Sequence, residues 1–235
     1  MAVPAAESNL WPGFAHPRAG GRRFDKEPIP IDRVDIYDPK TAHWERGPTL
    51  PTPRSEAVVL AVRNRIYVIG GTNGKDKSMT FDTLSIAQDE PAWRTEPAPP
   101  GGPVIQSSGG VIDGRIYLVA PQANSVLCYD TVVRTWDKLP SPPSAMTLWA
   151  AVCGAYKGEF WVMGGNTDNQ LTFIYSPQSG TWRSRPHLPT PLGWTSAQAV
   201  DGRLILIDEQ FYQELRQVLD SQKTFAEMAM AKADQ

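Results

Sequence analysis

The chain offers three kinds of residue that could do chemistry: imidazoles and thiols for metals, a carboxylate with a cation for proton transfer, and indoles with amides for recognition. Its three histidines, His16, His43 and His187, are far apart, and no two are spaced as metal ligands, so each is read as structural and no metal is expected. Cys128 and Cys153 fall inside apolar strand-like runs, where a small buried thiol is expected, which points to a reducing, cytoplasmic setting. No Gly-x-Ser-x-Gly elbow is present, and no glycine-rich loop opens a helix to hold a phosphate. Neither a catalytic residue nor a cofactor is expected. Arg54 and Glu56 place a cation and a carboxylate together at a strand start, where such a pair is ordinarily solvated. What remains is binding chemistry, carried by tryptophans and polar loop residues.

Composition narrows the partner. Lysine and arginine total 23 against 25 acidic residues, and a net charge of -2 gives no bulk attraction to nucleic acid or an anionic membrane. No signal-peptide pattern and no transmembrane-length window is seen. The 22 prolines and 19 glycines in 235 residues call for many short turns rather than long helices.

The elements that must hold these residues recur. Arg65-Ile-Tyr-Val-Ile-Gly-Gly71 returns as Arg115-Ile-Tyr-Leu-Val-Ala-Pro121, Glu159-Phe-Trp-Val-Met-Gly-Gly165 and Arg203-Leu-Ile-Leu-Ile-Asp-Glu209. Each is preceded by an apolar run and a tight turn, at Arg63-Asn64, Asp113-Gly114, Lys157-Gly158 and Asp201-Gly202, which reads as an inner hairpin because such turns need positive φ. An outer hairpin follows: Val34 to Asp38 with His43 to Arg46, Val126 to Asp130 with Trp136, and Thr172 to Ser176 with Trp182. In the second unit the slot is degenerate, Leu84 to Ala87 before Trp93. Trp44, Trp93, Trp136 and Trp182 lie 49, 43 and 46 residues apart, the period of a four-stranded unit with strands a, b, c and d. These tryptophans are read as packing between neighbouring sheets.

A Gly-Gly after an apolar strand, a Tyr-Asp on the third strand and a Trp six residues beyond that Asp resemble the kelch repeat, over roughly residues 33 to 209. The resemblance implies an all-β fold, a kelch-type β-propeller of about four to five four-stranded blades, incomplete or composite at the chain ends. Ala120-Pro121 and Asp208-Glu209 depart from the Gly-Gly, and distorted blade corners are expected there. Residues 1–32 are read as an irregular lead-in, although Gly20-Gly21 fits the worn end of an earlier repeat. Residues 210–235 form either an amphipathic helix or the outer strands of the last blade. With a helical tail, the orphan inner hairpin at the end and the outer hairpin at the start could combine into one shared blade.

In such blades the b to c and d to a connections share one face of the disc. That face is the expected recognition surface, because its loops are the longer and more varied ones. Its candidate partner-binding residues are Arg54, Asn73, Lys75, Asp76, Asn124, Trp149, Asn166, Asp168 and Trp194, with the two tryptophans close to the channel mouth. The resemblance implies a non-catalytic module that binds a protein or peptide. Two alternatives stay open: a sugar-binding or mutarotase-like propeller enzyme, in which Glu56 and Arg54 would stand for the acid and base, and a fragment that works only as a homodimer through open sheet edges. Charges placed on Val34 or Ile36 would abolish such a dimer.

Overall fold

The structure, a computed structural model, describes residues 16–19, 22–24, 28–38, 41–73, 83–87, 92–143, 148–165, 170–192, 196–200 and 202–207. In chain order, β1 (His16–Ala19), β2 (Arg22–Phe24), β3 (Pro28–Pro30), β4 (Val34–Asp38) and β5 (His43–Arg46) form a first sheet, ordered β1-β4-β5, and a separate β2-β3 hairpin. Three four-stranded antiparallel sheets follow. They are β6 (Val58–Val62) to β7 (Arg65–Ile69), β8 (Thr83–Ala87) and β9 (Arg94–Glu96); β10 (Gly109–Ile112) to β11 (Arg115–Ala120), β12 (Ser125–Asp130) and β13 (Thr135–Lys138); and β14 (Ala151–Tyr156) to β15 (Glu159–Gly164), β16 (Thr172–Ser176) and β17 (Thr181–Arg185). The last described pair is β18 (Ser196–Val200) with β19 (Arg203–Ile207). The first strands β6, β10, β14 and β18 are neighbours in that order, and β1 lies beside β6, so the sheets follow one another as propeller blades with these strands innermost.

The cores lie between the sheets. Within β7, Ile66 and Val68 join Val34 and Ile36 of the first sheet, whereas Tyr67 and Ile69 join Ile116, Leu118, Leu127 and Tyr129 of the third. Both faces of an inner strand are therefore buried, which is why these segments read as unbroken apolar runs. Each fully buried aliphatic side chain contributes about 1.5–3 kcal/mol. The tight turns have the backbone expected of them, with φ 50° at Asp113 and 75° at Gly114. At the Gly-Gly corner, Gly70 has φ +62°, and an added Cβ would run into the Val104 carbonyl of the next blade. The Gly71 N–H donates to that carbonyl at 2.8 Å, and Gly165 repeats the bond to the Leu192 carbonyl at 3.1 Å.

The tryptophans tie each sheet to the one before it. Trp93 Nε1 donates to the Pro48 carbonyl at 2.9 Å, Trp136 to Pro97 at 2.8 Å and Trp182 to Pro140 at 2.7 Å. Each proline lies just after the last strand of the preceding sheet. The degenerate second unit keeps this tie, although Ile86 occupies the Tyr slot opposite Ile66. The second and third sheets share one further clamp. Glu96, 5% exposed, accepts hydrogen bonds from Ser85 Oγ at 2.7 Å, Tyr129 Oη at 2.9 Å and Arg134 Nε at 2.7 Å. Burial works to raise its pKa, but these three donors and the Arg134 charge outweigh it and hold the carboxyl below its ordinary range.

Three expectations are corrected. The lead-in is not irregular throughout, because β1 pairs with β4 so that His16 faces Tyr37, as Ile116 faces Tyr129 and Phe160 faces Tyr175. β1 is thus the b strand of the first blade, and Gly20-Gly21 follows it in sequence as the Gly-Gly follows β7. Its polar composition hid it from a reading by hydrophobic period. The first outer hairpin consequently has its own inner strand and is not shared with β18-β19. Val34 and Ile36, 1% and 3% exposed, pack against the second sheet and line no open edge. The Ala120-Pro121 corner does depart from the Gly-Gly form. β11 runs on through Ala120, and a short 3-10 turn, Pro121–Ala123, leads straight to β12, since Pro121 has no N–H to give. The C-terminal segment 210–235 lies outside the described residues.

Candidate recognition face

Strand register makes the rim residues comparable from blade to blade. Val59, Gly109 and Cys153 each pair with the fourth residue of a b strand, Val68, Leu118 and Val162. Three residues earlier in each blade stand Glu56, Gln106 and Ala150, with φ 60°, 50° and 60°. A non-glycine residue held in the left-handed region at one repeated position marks a constrained entry into the innermost strand. Gln106 N–H donates to the Glu56 carbonyl at 3.3 Å, so this ring of residues is linked directly between blades. Serine reinforces it: Ser108 Oγ donates to the Ala151 carbonyl at 3.1 Å and accepts from the Cys153 N–H at 2.7 Å.

Two residues before the left-handed position lie Arg54, Val104 and Leu148, all at 2% exposure or less. Arg54 therefore occupies a slot filled by aliphatic side chains in the next two blades. Its guanidinium donates to the Gly70 carbonyl at 3.1 Å and, more weakly, to the Thr52 carbonyl at 3.4 Å. Burial removes it from the surface where a partner contact was expected and makes it a holder of the blade corner.

Trp149 follows that buried slot and is 36% exposed, between Leu148 and the left-handed Ala150. Asn124 is exposed, with φ 43°, and its N–H closes the Pro121–Ala123 turn on the Pro121 carbonyl at 3.1 Å. Beside it, Gln122 clasps Ile105 through both ends of its amide, at 3.4 and 3.5 Å. Asn73 is half-buried, and its Oδ1, like the Oε1 of Gln106, is a buried acceptor with no hydrogen-bond partner. Arg54, Asn73, Asn124 and Trp149 are thus all placed at the b to c or d to a connections. Lys75, Asp76, Asn166, Asp168 and Trp194 lie outside the described residues. Gln106 escaped the reading of the sequence, and aligning the repeats on their tight turns would have exposed it as the counterpart of Glu56.

Among the described residues no group of three His, Cys, Asp or Glu is placed to hold a metal. Cys128 and Cys153 are buried and unpaired, and burial pushes the Cys153 thiol up to about 12, far from thiolate reactivity at neutral pH.

Comparison with known proteins agrees with this architecture. Residues 23–141 match a family described as "Protein of unknown function (DUF1668)". Human Kelch-like protein 41 is 30% identical over 132 residues, covering 50% of this chain and 21% of that protein. The Kelch repeat protein M-T8 of Myxoma virus is 27% identical over 194 residues, 80% of this chain and 28% of the viral one. The chain belongs to the matched family and to the kelch-repeat proteins. Kelch-like protein terF of Aspergillus terreus is 28% identical over 154 residues, 60% of this chain and 32% of its own length. This kelch chain accordingly spans about a fifth to a third of these relatives. The solved structure of YjhT superposes with a TM-score of 0.70 at 16% identity, covering 84% of this chain and 74% of YjhT, a likeness of fold. Among the described residues no helix is long and apolar enough to cross a membrane.

Proposed function

We propose that this kelch propeller is a non-catalytic interaction module that binds a protein segment across its b to c and d to a connections, in the cytoplasm. The observation that carries the reading is Trp149, an exposed indole set on a rim whose backbone is held by hydrogen bonds between blades. A rigid aromatic anchor loses little entropy on binding, and the exposed Asn124 offers an amide on the same set of connections. The resemblance to Kelch-like proteins supports a protein partner, and the buried, unpaired cysteines support a reducing compartment. Burial of Arg54 weighs against its pairing with Glu56 as a solvent-accessible acid and base for sugar chemistry.

The test is to select peptides from a random display library on the immobilised chain and titrate the winners by calorimetry. Substitution Trp149→Ala should weaken them by about tenfold or more, the loss typical of an aromatic anchor, and Asn73→Ala by less. Peptides that bind Trp149→Ala, Asn73→Ala and Asn124→Ala as tightly as the parent chain would sink the assignment of this face.

A further inference from the structure

The first blade carries a second aromatic surface, away from the rim. Trp44 is the fourth member of the tryptophan series, paired in register with Tyr37 as Trp136 is with Tyr129 and Trp182 with Tyr175. Its three counterparts donate their indole N–H to a proline carbonyl of the preceding sheet. Trp44 is 58% exposed, stacks on Tyr37 at a centroid distance of 5.0 Å, and among the described residues meets no acceptor.

The surroundings of Trp44 are not those of a face awaiting another blade. At four equivalent register positions on strands b and c, the second sheet has Ile66, Val68, Leu84 and Ile86, the third Ile116, Leu118, Leu127 and Tyr129, and the fourth Phe160, Val162, Phe173 and Tyr175. The first sheet has His16, Arg18, Asp35 and Tyr37. Arg46 stands opposite Asp35 in register, and Asp35 Oδ1 lies 2.6 Å from Arg33 and 3.8 Å from Arg46, both exposed arginines. Two arginines, Arg33 and Arg46, around the one carboxylate of Asp35 give this surface a positive and polar character, unlike the apolar faces of the next three sheets. An apolar sheet would strand these charges on packing there.

We propose that Trp44 and Tyr37, with Arg33 and Arg46, form a docking site for an acidic, proline-containing segment of a partner protein. The chain itself shows three times what an indole in this position donates to, a proline carbonyl just after a strand, and in one case that proline follows a glutamate, Glu96-Pro97. The arginines select the acidic version by charge. The site is separate from the rim and stands or falls independently of it.

The probe is a synthetic peptide, Glu-Thr-Glu-Pro-Ala-Pro-Pro, patterned on residues 94–100 with its arginine replaced, titrated into the 15N-labelled chain while the indole N–H signals are followed by NMR. A saturable shift of the Trp44 signal is expected. It should weaken about threefold or more in Arg46→Glu and between low and high salt, and it should be lost with Trp44→Ala. The indole signals of Trp93, Trp136 and Trp182 report in the same spectrum that each variant is folded. No shift of Trp44 at millimolar peptide overturns the proposal. A shift indifferent to Arg46→Glu and salt overturns its acidic specificity, and a Trp44 signal that moves with protein concentration alone identifies a second copy as the occupant and overturns it too.

Discussion

The tie made by the blade tryptophans can be tested within one molecule, because the same residue occurs in a paired and an unpaired setting. Trp136 donates to the Pro97 carbonyl at 2.8 Å and packs on Tyr129 at 4.8 Å, whereas Trp44 keeps the tyrosine contact but meets no preceding sheet among the described residues. Trp136→Phe keeps a ring and removes the N–H, a loss of about 1 kcal/mol for one hydrogen bond. Trp136→Ala adds the packing loss. A fully buried tryptophan costs about 3–5 kcal/mol, and the half-buried Trp136 is expected to cost roughly 2–3 kcal/mol. For a domain of this size each kcal/mol lowers the melting temperature by about 2–4 °C, so the two variants should melt about 2–4 °C and 5–10 °C below the parent chain. Trp44→Ala should cost under about 1 kcal/mol, as befits an exposed position. Melting followed by circular dichroism, with urea midpoints as a check, reads all three. If Trp44→Ala proved as damaging as Trp136→Ala, the tryptophan would be stabilising its own sheet through Tyr37 or Tyr129, and the tie between sheets would not be what holds the blades together.

Acid should loosen the clamp between the second and third sheets. The Glu96 carboxyl is held below its unfolded range, so its stabilising contribution is complete above the ordinary carboxylate pKa and is lost as pH falls through the lower folded value. The melting temperature of the parent chain should therefore drop more steeply on acidification than that of Glu96→Gln, and parallel curves would show that the carboxylate's charge is irrelevant there. At the blade corner, Gly70→Ala must accept φ +62° and displace the Val104 carbonyl, and a cost of roughly 2–4 kcal/mol is expected from urea denaturation. An unchanged midpoint would mean that the corner yields without strain.

Much of this architecture is encoded in contiguous residues. A turn such as Asp113-Gly114 needs positive φ whatever surrounds it, the unbroken apolar runs follow from strands buried on both faces, and the Trp spacing reports the length of one blade. Those features were legible because each depends on residues a few positions apart. The kelch family and the face that carries the connecting loops followed from the same local signals. The fate of individual side chains was decided elsewhere. Arg54 looked like a surface cation beside Glu56, yet it fills a slot that holds Val104 and Leu148 in the next two blades, because the Gly70 carbonyl offers its guanidinium an acceptor. β1 was invisible to hydrophobic period because its identity rests on pairing with β4, some eighteen residues on, and because its own residues, His-Pro-Arg-Ala, carry no apolar alternation. Glu96 likewise reads as an ordinary strand-end acid until Tyr129 and Arg134 of the following sheet close over it. Sequence alone determined the strands of the repeats from Val34 onward, their turns and their period, since backbone conformation is a local preference. Only the stacking of one sheet on the next decided which polar groups were buried with partners and which aromatic rings stayed exposed, since burial is set by a surface that the chain supplies about fifty residues away.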